Sequence, residues 1–137
     1  MGAGRTSEGQ SMNAAAFVDA ARGWARGLED REVERSGADL AAARLIVSRK
    51  TGVSEGTLRS LRKNRLKAIG AHVFAKLREG VVKELEAELM RLEHELSILR
   101  QTGVDPRDDQ ISEVVADIAR ARTALGRSAP ALPGSTG

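Results

Sequence analysis

Between residues 44 and 67 stand Arg44, Arg49, Lys50, Arg59, Arg62, Lys63, Arg65 and Lys67, with Glu55 the single acid among them. The chemistry that such a block performs is the holding of anions, above all the phosphates of a nucleic-acid backbone. An arginine in it can also read a base, because its planar fork matches the two acceptors of guanine. Other chemistries lack their residues. There is no Cys and no Tyr, and His72 and His94 have no partner at metal-ligand spacing. His72 reads as an ordinary residue or at most a phosphate contact. No Ser is placed with a His and an acid, and Gly2, Gly4 and Gly9 follow no strand and precede no Lys-Ser/Thr pair. No catalytic residue, cofactor or metal is expected, and the chain does not read as an enzyme.

The elements that must position these cations lie in residues 39–63. A helical apolar run, Leu40, Ala43, Ile46 and Val47, ends in Lys50-Thr51, and Gly52 follows at once. Gly52 is free to take the left-handed conformation that closes a helix, and Val53 can plug the corner. Ser54 can cap a second helix, whose Leu58 and Leu61 share a face and point back at the first. The reading is helix, tight turn, helix.

With Val47, Ser48, Gly52, Val53, Leu58 and Leu61 in this order, the stretch resembles the helix-turn-helix family of bacterial and phage DNA-binding proteins. Ser48 stands where the family most often has Ala. The resemblance spans about 25 residues of the chain. It implies that the helix starting at Ser54 enters the major groove with its first residues nearest the base edges. Ser54, Glu55, Gly56, Arg59 and Ser60 would then face bases, with Arg59 the reader of a guanine. Thr57, Arg62, Lys63, Arg65 and Lys67 would hold phosphates. Gly56 either lets the backbone approach DNA closely or fits a neighbouring helix.

Composition agrees with an all-α chain that meets duplex DNA. The 137 residues carry a net charge of +3, unevenly: the motif is basic and residues 79–95 are acidic. Two Phe, one Trp and no Tyr leave too few rings for stacking single-stranded bases. The lack of cysteine suits a reducing cytoplasm, with nucleoid association expected when DNA is bound. No apolar run reaches the roughly 20 residues that span a bilayer, and no signal peptide is expected.

Along the chain, residues 1–12 and 126–137 read as disordered tails, 13–78 as a DNA-binding domain and 79–125 as an oligomerisation region. Asn13 can cap a helix over residues 14–28 or a little beyond, with Phe17, Ala21, Trp24 and Leu28 as its core stripe. Residues 29–35, nearly all charged, read as its solvated continuation, broken by Ser36-Gly37. Residues 64–70 fit a loop, a short helix or a strained continuation, and Leu66, Ile69, Val73, Phe74 and Leu77 close the small core. Val82, Leu85, Leu89, Leu92, Leu96 and Leu99 then form a heptad seam with an exterior rich in Glu. Gly103 and Pro106 stop that helix, and Asp108 or Asp109 caps another whose apolar face includes Ile111, Val114, Val115 and Ile118. The two helices should fold back antiparallel, like a short coiled coil, and their apolar surface points to self-association, with a homodimer expected.

Three functions share these parts. A dimeric transcriptional regulator reads an inverted repeat in double-stranded DNA with two copies of the Ser54 helix. A small terminase subunit of phage, similar in outline, recognises viral DNA as a ring. A helical adaptor uses the basic patch on an acidic protein.

Overall fold

The computed structural model describes residues 14–128. Among them are five helices and no strand: α1 (Ala14–Ser36), α2 (Leu40–Thr51), α3 (Glu55–Arg62), α4 (Ala71–Gln101) and α5 (Asp109–Ser128). The class is all-α. Asn13 and the two outer tails lie outside the described residues, although residues 126–128, expected in the tail, continue α5. None of the described helices is long and apolar enough to cross a membrane. Two compact units meet in sequence between Val81 and Val82, so α4 contributes to both.

In the first unit, local chemistry starts and stops each short helix. Asp39 caps α2 by accepting a hydrogen bond from the Ala42 amide at 2.8 Å. Gly52 ends it: with φ at +83°, its N–H donates to the Ser48 carbonyl at 2.8 Å. A residue with a β-carbon is strained in that conformation, so glycine belongs there. The Ser54 hydroxyl caps α3 by accepting from the Thr57 amide at 3.2 Å. At the far end Asn64 turns left-handed (φ 58°), with Asn64 N–H donating to Leu61 O and Arg65 N–H to Ser60 O. Those crossed bonds close α3, and none of residues 63–70 is helical. Of the three conformations open to residues 64–70, the chain adopts the loop.

The core of this unit joins Val18, Ala21, Ala25 and Leu28 of α1 to Val47, Val53, Leu58, Leu61 and Leu77. Val53, Leu58, Leu61 and Leu77 are at most 1% exposed, each contributing about 1.5–3 kcal/mol by burial. Leu66, Ile69, Val73 and Phe74 pack over it, partly buried. Phe74 meets Phe17 edge-on at 5.0 Å between ring centroids and Trp24 at 4.9 Å. α4 comes close to α2 at Gly80, where a β-carbon would stand 3.0 Å from Thr51 Cγ2 and 3.4 Å from Leu28 Cδ1. Thr51 has little freedom to yield, since its hydroxyl donates to Val47 O and accepts from Val53 N–H.

Residues 29–35 are not a solvated face. α1 runs through them to Ser36 with Glu29 and Glu32 buried (0% and 5% exposed). The physical reason is geometric: 18, 21, 25, 28 and 32 continue one helical stripe, so the buried face carries on into the acids.

In the second unit, α4 ends where Gly103 (φ +81°) donates to Arg100 O and Val104 to Leu99 O. Asp108 then caps α5, accepting from the Gln110 amide at 2.8 Å. Leu92, Val114 and Ile118 form the core, with Leu89, Leu96 and Leu99 partly buried against it. Leu85 and Ile111 are buried, Val82 is half-buried, and Val115 stays 44% exposed. Most of the expected seam therefore meets inside one chain.

Two glycines of this fold should respond oppositely to added bulk. Gly23, exposed within α1 with no atom near its missing β-carbon, gains about 0.5–1 kcal/mol on Gly23→Ala. Gly80→Leu loses about 1–3 kcal/mol by overpacking against Thr51 and Leu28. Urea unfolding of the two variants measures both.

Candidate nucleic-acid interface

α3 has an inner and an outer face. Leu58 and Leu61 are fully buried, which turns Gly56, Arg59 and Lys63 outward as exposed residues, with Ser60 half-buried beside them. Glu55 and Arg59 form an i,i+4 pair at 3.3 Å, with side chains 36% and 46% exposed. Such surface pairs contribute little and exchange partners readily. Ser54 is exposed, but its hydroxyl donates to Thr57 Oγ1 at 2.9 Å while accepting from the Thr57 amide. The two hydroxyls thus serve the helix start first. Lys63, Arg65 and Lys67 are all exposed, on and just after the turn that closes α3.

Arg62, expected among the phosphate contacts, is engaged by acids of α1. Its Nε donates to Glu29 Oε1 at 2.9 Å and its Nη2 to Asp30 Oδ1 at 2.6 Å, leaving the side chain 18% exposed. Arg44, part of the same basic block, is 8% exposed and donates from Nε to Glu29 Oε2 at 3.2 Å. Lys50 donates to Glu32 Oε1 at 3.0 Å, an oxygen it shares with Arg35. Acids of α1 therefore engage Arg44, Lys50 and Arg62. The exposed cations on this stretch are Arg49, Lys50, Arg59, Lys63, Arg65 and Lys67, of which Lys50 is paired with Glu32 and Arg59 with Glu55.

Glu29 is the hub of this arrangement. Each of its carboxylate oxygens takes one arginine, Arg44 from α2 and Arg62 from α3, so one side chain joins three helices. Burial raises its carboxyl above the ordinary 4.5; the hydrogen bond and charge of Arg44 and the charge of Arg62 pull it down, and Asp30 adds to the rise. Desolvation thus outweighs the attraction of the two cations, as is common for buried ion pairs.

One cation that the sequence pattern did not single out is Lys76 of α4. A β-carbon on Gly52 would stand 3.6 Å from its Nζ, so this exposed ammonium rests against the turn that leads into α3. No local signal marks it, because it lies 24 positions beyond the glycine it touches. The burial of Glu29 and Glu32, which the charge of residues 29–35 masks, does have a signal in the sequence: the spacing of the α1 stripe runs on into them.

Glu29→Ala takes the carboxylate from the buried Arg44 and leaves Arg62 with Asp30 alone, lowering stability by about 3–5 kcal/mol. Replacing the cluster together, Glu29→Met with Arg44→Leu and Arg62→Leu, returns stability to near wild type or above. The folded state holds the Glu29 proton more tightly than the unfolded chain. Its contribution is therefore full below pH 4.5 and declines as pH rises through the raised value. The margin of wild type over Glu29→Ala narrows accordingly with rising pH, as urea titrations across that window will measure. Comparison with protein-family models, curated proteins and solved structures finds no match to this chain.

Proposed function

We propose that the chain is a sequence-specific double-stranded-DNA-binding protein of helix-turn-helix type, acting as a dimeric transcriptional regulator. The observation that carries this reading is α3 itself. It is seated by Val53, Leu58 and Leu61, and it presents Gly56, Arg59, Ser60 and Lys63 on its other face. A helix so mounted can lie in a major groove with its N-terminal residues at the base edges. Ser54, Glu55, Gly56, Arg59 and Ser60 face bases in this reading, and Arg59 leaves Glu55 for a guanine. Lys63, Arg65 and Lys67 hold phosphates, joined by Lys76 beside the turn. Arg62 does not touch DNA; it positions α3 through Glu29 and Asp30. Two copies set two such helices about 34–36 Å apart on an inverted repeat.

Fluorescence anisotropy with random and selected duplexes tests the reading. Lys63→Ala, Arg65→Ala, Lys67→Ala and Lys76→Ala each weaken binding alike on all sequences and reduce the salt slope by about one. Arg59→Ala costs about 1–3 kcal/mol and relaxes preference at one base position. Binding to every duplex with equal affinity would overturn sequence-specific recognition, and salt-insensitive or absent binding would overturn the DNA reading altogether.

A further inference from the structure

The second unit holds a groove of about 690 Å³ along one flank of α4 and α5. Its apolar lining comes from Leu96, Val115, Ile118 and Ala119, and the buried apolar side chains of this unit, among the described residues, are Leu85, Leu92, Ile111, Val114, Ile118 and Ala121. Units this small seldom stand on such a core and commonly complete it by association. The rim says what fits. Glu93 and Arg100 both line the groove from α4, one heptad apart, and Val115 and Arg122 line it from α5, again one heptad apart. A copy turned by a two-fold axis and laid antiparallel across the groove meets Glu93 with its own Arg100, and Arg100 with its own Glu93. That self-complementarity is the mark of an isologous contact. Glu93 is free to take part, since its present bond to Arg122 (2.9 Å) joins side chains 45% and 64% exposed and holds weakly.

From this charge pattern we infer that the groove is the homodimer interface: a second copy of residues 82–128 closes over Leu96, Val115 and Ala119 to make a four-helix bundle. The contact lies beside the α4–α5 seam, which each chain has already used for itself. The inference rests on the reading of the protein as self-associating, and it goes further by naming the face and the register.

Sedimentation equilibrium on the full chain tests it, with helix content followed by circular dichroism to show that each variant is folded. Wild type should sediment at twice 14.6 kDa. Glu93→Arg alone and Arg100→Glu alone each set like charges together across the axis and weaken the dimer by about tenfold or more. An equimolar mixture of these two variants should recover the dimer, because each chain then supplies the charge that the other needs at both ends. Val115→Asp should dissociate it. A monomeric wild type overturns the inference, as do single variants that leave the mass unchanged or a mixture that fails to recover. Duplex binding by the wild type, measured in parallel, reports separately on the DNA reading, which survives in a monomer that still binds a preferred sequence.

Discussion

A single buried carboxylate, Glu29, ties three helices together. Its two oxygens reach Arg44 on α2 and Arg62 on α3 from the middle of α1, so any change in the crossing of these helices separates an ion from its partner. Apolar packing is more forgiving, because it depends on area rather than direction. The raised carboxyl shows that desolvation outweighs the two attractions, and its weight is therefore in geometry: it penalises the arrangements in which either arginine is left alone. Glu32 repeats the device nearer the surface, gathering Lys50 and Arg35 on one oxygen.

The consequence for α3 is an orientation held from two sides. Val53, Leu58 and Leu61 fix the inner face by burial, and Arg62 pins the last turn to α1. What remains outside is a short surface with Gly56, Arg59 and Lys63 exposed. The turn residues act in the same direction. Gly52 lets the chain reverse in three residues, and Asn64 stops α3 sharply enough to leave Lys63, Arg65 and Lys67 in solvent. In the proposed function these cations share out the two tasks of a DNA reader, with Arg59 at a base and the others along phosphates.

The second unit follows a different economy. Among its described residues no charged side chain is buried; Leu92, Val114 and Ile118 interlock along α4 and α5, and charged residues such as Glu93 and Arg122 pair at the surface. A groove with an apolar floor and a charged rim runs beside its core. A heptad pattern states that a helix has a partner without stating whether that partner belongs to the same chain. Here the near partner is α5, and the surface left over is the flank rather than the seam.

The all-α class, the stop of α2 at Gly52, the start of α3 at Ser54, and the outward or inward sense of α3 were legible in the sequence. They depend on interactions within about four residues: Ser54 with Thr57, Gly52 with Ser48, and Leu58 with Leu61. The fate of the charges was not legible in the same way. Arg62 and Lys63 are neighbours of the same sign, yet one is held by Glu29, 33 positions away, and the other stands in solvent. Charge and spacing reveal that a residue can bind an anion; only the packing of α1 across α2 and α3 decides whether that anion is already part of the protein.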